Sequence, residues 1–248
     1  MKFNAIEEVD KIIDFIRDYY QKHHLGGVVI GISGGKDSGV VAGLFSKAIG
    51  SENVVGVTLP CHSNPVDYAD AKLVSNRYGF QLIQFDLTSI YELFEMEAQR
   101  LDDFISSEDS EINLKPRLRM SALYYIAQMF SKKHDKVYLV AGTGNKCEQY
   151  VGYFTKGGDG VSDINVLGDL TVEEVIQIGE VLDVPHKVLY KIPSDGLSGK
   201  SDEEKLGFTY DDVAKVINNE LVHEEIKQII LRKHQLIQHK FFIPTYQK

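Results

Sequence analysis

The sequence predicts an α/β fold in which a doubly wound, mostly parallel sheet is covered by helices on both faces. Short runs rich in β-branched residues recur along the chain, and they are nearly continuous in apolar character rather than alternating. Such runs are typical of parallel strands that are buried on both faces. Segments with apolar residues every three to four positions separate these runs, as expected for helices that connect parallel strands.

The predicted elements follow in a regular order. The chain starts with an amphipathic helix over residues 4–22, whose apolar stripe is expected to pack on the sheet. The strands are predicted at residues 27–32, 54–59, 80–85 and 137–140, and the helices between them at Asp37–Ile49, Pro65–Tyr78 and Leu114–Lys133. From about residue 171 onward the pattern predicts mainly helix. Two polar, unpatterned segments, Ser106–Asn113 and Ser194–Leu206, are predicted to be mobile loops that act as lids.

Composition limits the classes of protein to be considered. The chain has 248 residues and a formal net charge of −9, and this acidic balance argues against a nucleic-acid partner. No run of 18 apolar residues occurs, and acids interrupt the first helix, so we expect a cytoplasmic protein with no membrane partner. The two cysteines, Cys61 and Cys147, are too few and too far apart for a disulfide framework or a cysteine zinc site. Since no linker divides the chain, we expect one domain over residues 1–248.

A glycine-rich segment joins the first predicted strand to the next helix. It consists of Gly31, Ile32, Ser33, Gly34, Gly35, Lys36, Asp37 and Ser38. A helix that begins at the carboxyl end of a parallel strand offers backbone N–H groups to an anion, and adjacent glycines let the backbone approach phosphate oxygens. A carboxylate beside polyphosphate is repulsive unless a divalent metal bridges them, so Asp37 predicts Mg²⁺. The alternative is a tight turn in which Asp37 only stabilises the helix dipole.

The Ser-Gly-Gly-Lys-Asp-Ser segment resembles the pyrophosphate-binding loop of the N-type ATP pyrophosphatases, a superfamily that cleaves ATP to AMP and pyrophosphate. This resemblance implies the adenine nucleotide alpha hydrolase-like form of the α/β fold. The loop alone does not choose among the synthetases and tRNA-modifying enzymes of the superfamily.

Further blocks narrow the resemblance to ammonia-dependent NAD synthetases. They lie in the order expected for that family, at residues 113–120, 141–148, 154–165, 206–211 and 239–240. The resemblance implies ATP as co-substrate, bound by the loop with Thr143 and Ser194, and Mg²⁺ held by Asp37 and Glu148. It assigns deamido-NAD to Arg117, Lys156, Asp163, His239 and Lys240. Arg119 competes with Arg117 for its role, and Asp159 is the catalytic residue expected to hold ammonium and accept its proton.

One family residue is missing. Where NAD synthetases commonly have a lysine that contacts ATP phosphates, this chain has Val172. We expect Lys36, inside the loop, to supply the positive charge and so to act as a catalytic residue. Ser194 stands where relatives often have threonine, and this change keeps the hydroxyl.

The resemblance implies that ammonia converts deamido-NAD to NAD through an acyl-adenylate, as the last step of NAD biosynthesis. Glutamine-dependent members carry an N-terminal amidase domain, whereas residues 1–25 hold one predicted helix, so we expect free ammonia, or ammonia from a separate subunit, as the donor. The resemblance also implies a homodimer. Two alternatives remain open: another N-type synthetase, such as a GMP synthetase or a tRNA-modifying enzyme, and a non-catalytic nucleotide-binding module.

Overall fold

A computed structural model describes residues 3–63, 65–101, 105, 107–191 and 202–247. Its centre is a parallel sheet of five strands in the order β3-β2-β1-β4-β5. The strands are β1 (Leu25–Gly31), β2 (Val54–Thr58), β3 (Gln81–Gln84), β4 (Val137–Gly142) and β5 (Ile164–Asn165). The chain builds outward on one side of β1 and then returns to its other side at β4. The crevice between the carboxyl ends of β1 and β4 is therefore the topological switch point, where such sheets bind ligands.

Helices cover both faces of the sheet, as the sequence predicts. They are α1 (Ala5–Lys22), α2 (Lys36–Ile49), α3 (Pro65–Tyr78), α4 (Thr88–Ala98), α5 (Glu108–His134), α6 (Lys146–Val151), α7 (Val172–Val181), α8 (His186–Leu189), α9 (Asp202–Leu206), α10 (Tyr210–Ile217) and α11 (Glu224–Leu236). In β1, Val28 and Ile30 pack toward α1, α2 and α7, whereas Val29 packs toward α5. This two-sided burial is why β1, β2 and β4 are apolar at nearly every position, whereas the edge strand β3 has an exposed glutamine at each end. A third apolar cluster joins α6 to α10 and α11.

The loop prediction for Ser106–Asn113 is wrong over residues 108–113, because α5 begins at Glu108. Glu108, Asp109 and Glu111 lie in its first turn, where negative charge is favourable near the positive end of the helix dipole. These residues are exposed, so they form no apolar stripe and the helical period cannot be seen in the sequence. Ser106 lies outside the described residues.

The loop prediction for Ser194–Leu206 is also wrong over its last five residues. Residues 202–206 form helix α9, while Ser194 and the rest of the segment up to residue 201 lie outside the described residues. The strand β5 and the helix α4 were not predicted from the sequence. In the described part of the chain, no helix is both long and apolar enough to cross a membrane.

Candidate active site

The glycine-rich loop connects β1 to α2 at the switch point. Two of its serine side chains make hydrogen bonds to the loop backbone. The Ser33 hydroxyl accepts the N–H of Gly35 (3.2 Å), and the Ser38 hydroxyl accepts the N–H of Ser33 (3.3 Å) and donates to the carbonyl of Gly35 (3.0 Å). Gly34 has φ +76°, a conformation that side chains rarely adopt. Gly35 is the N-cap of α2 and has no side chain with which to cap the first N–H groups of the helix. The loop therefore presents a helix N-terminus toward the crevice, as anion binding requires.

Asp37 lies in the first turn of α2 between two partners. The Lys36 ammonium is 2.9 Å from one carboxylate oxygen of Asp37, and the side-chain amide of Asn145 donates to the other at 3.2 Å. The Lys36 side chain is only 6% exposed and that of Asp37 is 18% exposed. The charge of Asp37 is therefore partly compensated inside the protein before any ligand binds.

Asn145 connects Asp37 to Glu148. It is the N-cap of α6, two residues after Thr143 and three after the end of β4, and is fully buried. Its side-chain oxygen accepts the N–H of Glu148 at 3.1 Å, and the Glu148 carboxylate accepts the N–H of Asn145 at 3.0 Å. This reciprocal capping box fixes the start of α6. Residues that are 108 positions apart in sequence, Asp37 and Asn145, thus share one hydrogen bond at the ends of neighbouring strands.

Asp37 and Glu148 suit the hard-oxygen chemistry of Mg²⁺. Magnesium is commonly held by one or two carboxylates and completed by substrate phosphates and water, so a full protein cage is not required. Among the described residues, no group of three or more His, Cys, Asp or Glu is arranged to hold a metal ion. A pair of carboxylates beside a phosphate-binding loop fits a metal that is bound together with a nucleotide.

A second group of predicted residues gathers beside the third turn of α5. Arg117 donates from Nε to the carbonyl of Lys156 (3.4 Å), and the Lys156 ammonium donates to the carbonyl of His239 (2.6 Å). Lys240 donates to the carbonyls of Gly152 and Phe154, both at 2.7 Å. Arg117, Lys156, His239 and Lys240 therefore form one connected group, although they come from three separate segments.

Asp163 is held differently from this group. Its carboxylate accepts the N–H of Val140 (2.8 Å) and the hydroxyl of Tyr124 (3.1 Å), so it joins β4 to α5. Its contacts in the structure are those of a residue that ties a strand to a helix.

Asp159 lies in the turn that follows Lys156. One of its carboxylate oxygens accepts the N–H of Thr155 at 2.9 Å, and the Thr155 hydroxyl donates to Asn113 of α5 at 2.6 Å. Burial of the carboxyl group raises the pKa of Asp159, against hydrogen bonds from backbone N–H groups and the charges of Arg119 and Lys240. A carboxylate with a raised pKa is a stronger proton acceptor than an ordinary one.

The two arginines that compete for one role at the dinucleotide have different surroundings. Arg117 is exposed and contacts Lys156, whereas Arg119 is half-buried and donates to the carbonyl of Leu59 (3.2 Å) and the hydroxyl of Ser63 (3.3 Å). These contacts place Arg119 at the end of β2. They favour Arg117 as the member of the group that contains Lys156 and His239.

Asn145 is the site residue that the sequence analysis missed. The signal was present, because an Asn three residues before a Glu, a short distance after a strand, is the pattern of a capping box. Val172 is the first residue of α7 and packs against the apolar cluster of the C-terminal helices. Ser194 lies outside the described residues.

Comparisons with known proteins agree on one family. A family model described as NAD synthase matches residues 8–242. The NH(3)-dependent NAD(+) synthetase of Carboxydothermus hydrogenoformans is 36% identical over 98% of this chain and 98% of its own length. Among solved structures, an NMN synthetase from Francisella tularensis superposes with a TM-score of 0.90 at 31% identity, over 99% of both chains. An NH3-dependent NAD synthetase from Campylobacter jejuni, solved with a nitrate ion, gives a TM-score of 0.80 at 25% identity, over 99% of this chain and 100% of that one.

The match extends over nearly the whole chain, from the first helix to the residues after His239 and Lys240. The phosphate-binding loop, Asn145, Glu148 and Arg117 all lie within the matched range. The chain therefore belongs to the NAD synthase family, and it is a ligase that uses ATP.

Proposed function

We propose that this chain joins ammonia to the nicotinate carboxylate of deamido-NAD, using ATP and giving NAD, AMP and pyrophosphate. The observation that carries the proposal is the hydrogen-bonded connection of Asp37, Asn145 and Glu148 beside the phosphate-binding loop. It brings two carboxylates and a helix N-terminus to the switch point of the sheet, where a nucleotide triphosphate would bind. Since ATP and dinucleotides are cytoplasmic metabolites, we assign the reaction to the cytoplasm.

In the first step, a carboxylate oxygen of deamido-NAD attacks the α-phosphorus of ATP, and the bond to pyrophosphate breaks. Negative charge develops on the phosphate oxygens and on the leaving group. The N–H groups at the start of α2 are preorganised to stabilise it, and the hydroxyls of Ser33 and Ser38 hold the loop backbone in place around them. Thr143 and Ser194 complete our assignment for ATP, and Lys36 supplies charge that Val172 does not.

Mg²⁺ would be held by Asp37 and Glu148 together with the phosphates. When bound there, it would neutralise charge on the triphosphate and on the leaving pyrophosphate. The bond from Asn145 orients Asp37, and the capping box orients Glu148, so both carboxylates are held before ATP arrives.

In the second step, ammonia attacks the carbonyl carbon of the acyl-adenylate, the bond to AMP breaks, and the nitrogen gives up a proton. We assign that proton to Asp159, whose raised pKa supports the role. Arg117, Lys156, Asp163, His239 and Lys240 are our assignment for the dinucleotide. Positioning is essential, because water at about 55 M competes with ammonia for the activated acyl group.

We also propose a homodimer. Helix α4 exposes Ile90, Leu93 and Phe94, and α5 exposes Tyr125 and Met129. Several large apolar side chains exposed on two helices support an interaction surface there. Phe94→Glu should shift the mass measured by sedimentation from dimer to monomer, whereas Leu221→Glu, at a side chain that is exposed elsewhere, should leave it unchanged. A monomeric unmodified protein would contradict this proposal.

A second candidate substrate is the mononucleotide. The Francisella structure, with the higher of the two TM-scores, is an NMN synthetase. The same chemistry applied to nicotinate mononucleotide would give NMN, AMP and pyrophosphate, with no change in the role of the phosphate loop. The two readings differ only in whether an adenylate group on the substrate is needed for binding.

The test is an assay of ATP with deamido-NAD or with nicotinate mononucleotide, each with and without ammonium, followed by product analysis. We expect NAD, AMP and pyrophosphate in equal amounts, and only when ammonium is present. A higher kcat/KM for the mononucleotide would favour the second substrate. Release of ADP, or no amide from either substrate, would contradict the proposed reaction.

A further inference from the structure

A cluster of four charged side chains lies beside the phosphate-binding loop and takes no part in the site described above. Asp67 and Asp70 belong to α3, Lys187 belongs to α8, and Lys191 follows α8. The Lys191 ammonium is 2.9 Å from a carboxylate oxygen of Asp67 and 2.8 Å from one of Asp70. Lys187 is 2.6 Å from the other carboxylate oxygen of Asp70. The cluster therefore ties the first turns of α3 to α8.

Asp70 is the buried member of the cluster, with a side chain that is 1% exposed. Burial alone would raise its pKa, but the bonds and charges of Lys187 and Lys191 outweigh burial and hold the pKa below its usual value. Asp70 is thus a buried anion with two cations against it. A charge in this setting is costly to leave unpaired, so the ion pairs constrain where α3 and α8 can lie.

The same turns of α3 touch the phosphate-binding loop at Gly34. A Cβ atom at Gly34 would lie 2.7 Å from the carbonyl oxygen of Asp67 and 3.0 Å from the Cβ of Asp70. The loop therefore rests directly on the two residues that the lysines hold. This close approach, together with φ +76°, explains why position 34 is a glycine.

We propose that Asp70 is a positioning residue for the phosphate-binding loop. Its ion pairs with Lys187 and Lys191 fix the start of α3, and the start of α3 fixes Gly34 and the N–H groups that follow it. The inference rests on the proposed function, since it assigns the loop to ATP. Lys191 contributes more than Lys187, because it bonds to both aspartates and so also holds the residue whose carbonyl meets Gly34.

The chain offers a matched control at the other end of α3. Arg77 donates to the carbonyl of Asp183 (3.0 Å) and to its carboxylate (2.8 Å), and it thereby ties α3 to the segment just before α8. This ion pair joins the same parts of the fold as the Asp70 cluster. It lies more than one helical turn from the residues that touch Gly34, so loss of Arg77 tests the effect of loosening α3 without moving the loop.

The experiment compares Lys191→Met, Lys187→Met, Asp70→Asn and Arg77→Met. It measures kcat, the KM for ATP and for the dinucleotide, the Tm, and ATP binding by calorimetry without a second substrate. For Lys191→Met we expect the KM and the Kd for ATP to rise by about tenfold with little change in the KM for the dinucleotide, since small misplacement of a binding group is costly. Lys187→Met should have a smaller effect. Arg77→Met should lower the Tm while the constants for ATP stay within about twofold.

Lys191→Arg keeps the charge and should restore most of the affinity for ATP. The proposal is overturned if Lys191→Met and Arg77→Met have the same effect on ATP, or if both substrates weaken equally. If Asp70→Asn does not fold, the lysine variants decide, because both lysines are partly exposed. If the unmodified protein forms no amide, the proposed function fails, and the calorimetric comparison still tests the role of Asp70.

Discussion

The two carboxylate oxygens of Asp37 have different partners: the Lys36 ammonium contacts one, and the side-chain amide of Asn145 donates to the other. A carboxylate that is held on both oxygens is fixed in direction, which favours metal binding over free rotation. The sequence predicted the type of residue and its place in the loop. It did not predict Asn145 as the partner, because that contact joins segments that only the fold brings together.

We expect Asp37→Asn and Glu148→Gln each to reduce Mg²⁺-dependent turnover by about a hundredfold or more while the fold stays intact, since each removes charge that faces the phosphates. The measurement is kcat as a function of Mg²⁺ concentration, with circular dichroism as a check on folding. Asp169→Asn, at an exposed carboxylate paired with Lys146, is the control and should remain active. Near-normal rates for both variants at limiting Mg²⁺ would show that the metal assignment is wrong.

Lys36 is expected to compensate for Val172. Lys36→Gln should weaken the use of ATP severely, and adding Val172→Lys should restore part of the loss. The coupling is measured as a double-mutant cycle on kcat/KM for ATP. The ion pair of buried Lys36 with partly buried Asp37 also predicts that Lys36→Gln alone lowers the Tm, because Asp37 loses its compensating cation. If the two substitutions were strictly additive in kcat/KM, Lys36 would not replace the missing lysine.

The capping box of α6 contributes both to the stability of the helix and to the geometry of the candidate site. Its N-cap, Asn145, also donates to Asp37, so one side chain both starts a helix and orients a carboxylate. The capping box of α10, formed by Thr209 and Asp212, has the same local geometry without a bond to the site.

Asn145→Ser should separate these two roles, because serine retains a capping oxygen but is too short to reach Asp37. We expect activity to fall by about tenfold to a hundredfold, as for other residues that orient a metal ligand. Thr209→Ala should instead lower the free energy of unfolding by about 1 kcal/mol with activity unchanged. The measurements are urea unfolding and kcat/KM. If Asn145→Ser were fully active, the bond to Asp37 would have no functional role.

The elements also differ in how far the sequence predicts them. Strands β1, β2, β3 and β4 lie within a few residues of their predicted positions. Burial on both faces makes β1, β2 and β4 almost continuously apolar, whereas β3 is an edge strand that begins and ends with an exposed glutamine. The first turns of α5 and the helix α4 could not be predicted in this way. Glu108 and its neighbours face solvent, and α4 exposes Leu93 and Phe94, so neither segment shows a simple division into a polar and an apolar face.

The sheet brings three distant segments of the chain to one crevice. The loop after β1 and the capping box after β4 meet because their strands are neighbours, and Arg117 meets Lys156 because α5 packs beside β4. Motif spacing predicted which segments take part. It could not predict the support around them, such as the ion pairs of Asp70, because those depend on how α3 and α8 pack.

In the proposed reaction, the substrate carboxylate becomes an acyl-adenylate on this chain. Deamido-NAD with heavy oxygen in its carboxylate tests it directly, with ATP, Mg²⁺ and ammonium present and the products analysed by mass spectrometry. When ammonia displaces AMP, the bridging carboxylate oxygen leaves with the AMP phosphate. Reaction through an acyl-adenylate predicts one heavy oxygen in AMP, none in pyrophosphate, and an amide product that retains the other. Heavy oxygen in pyrophosphate or inorganic phosphate, or none in AMP, would contradict it.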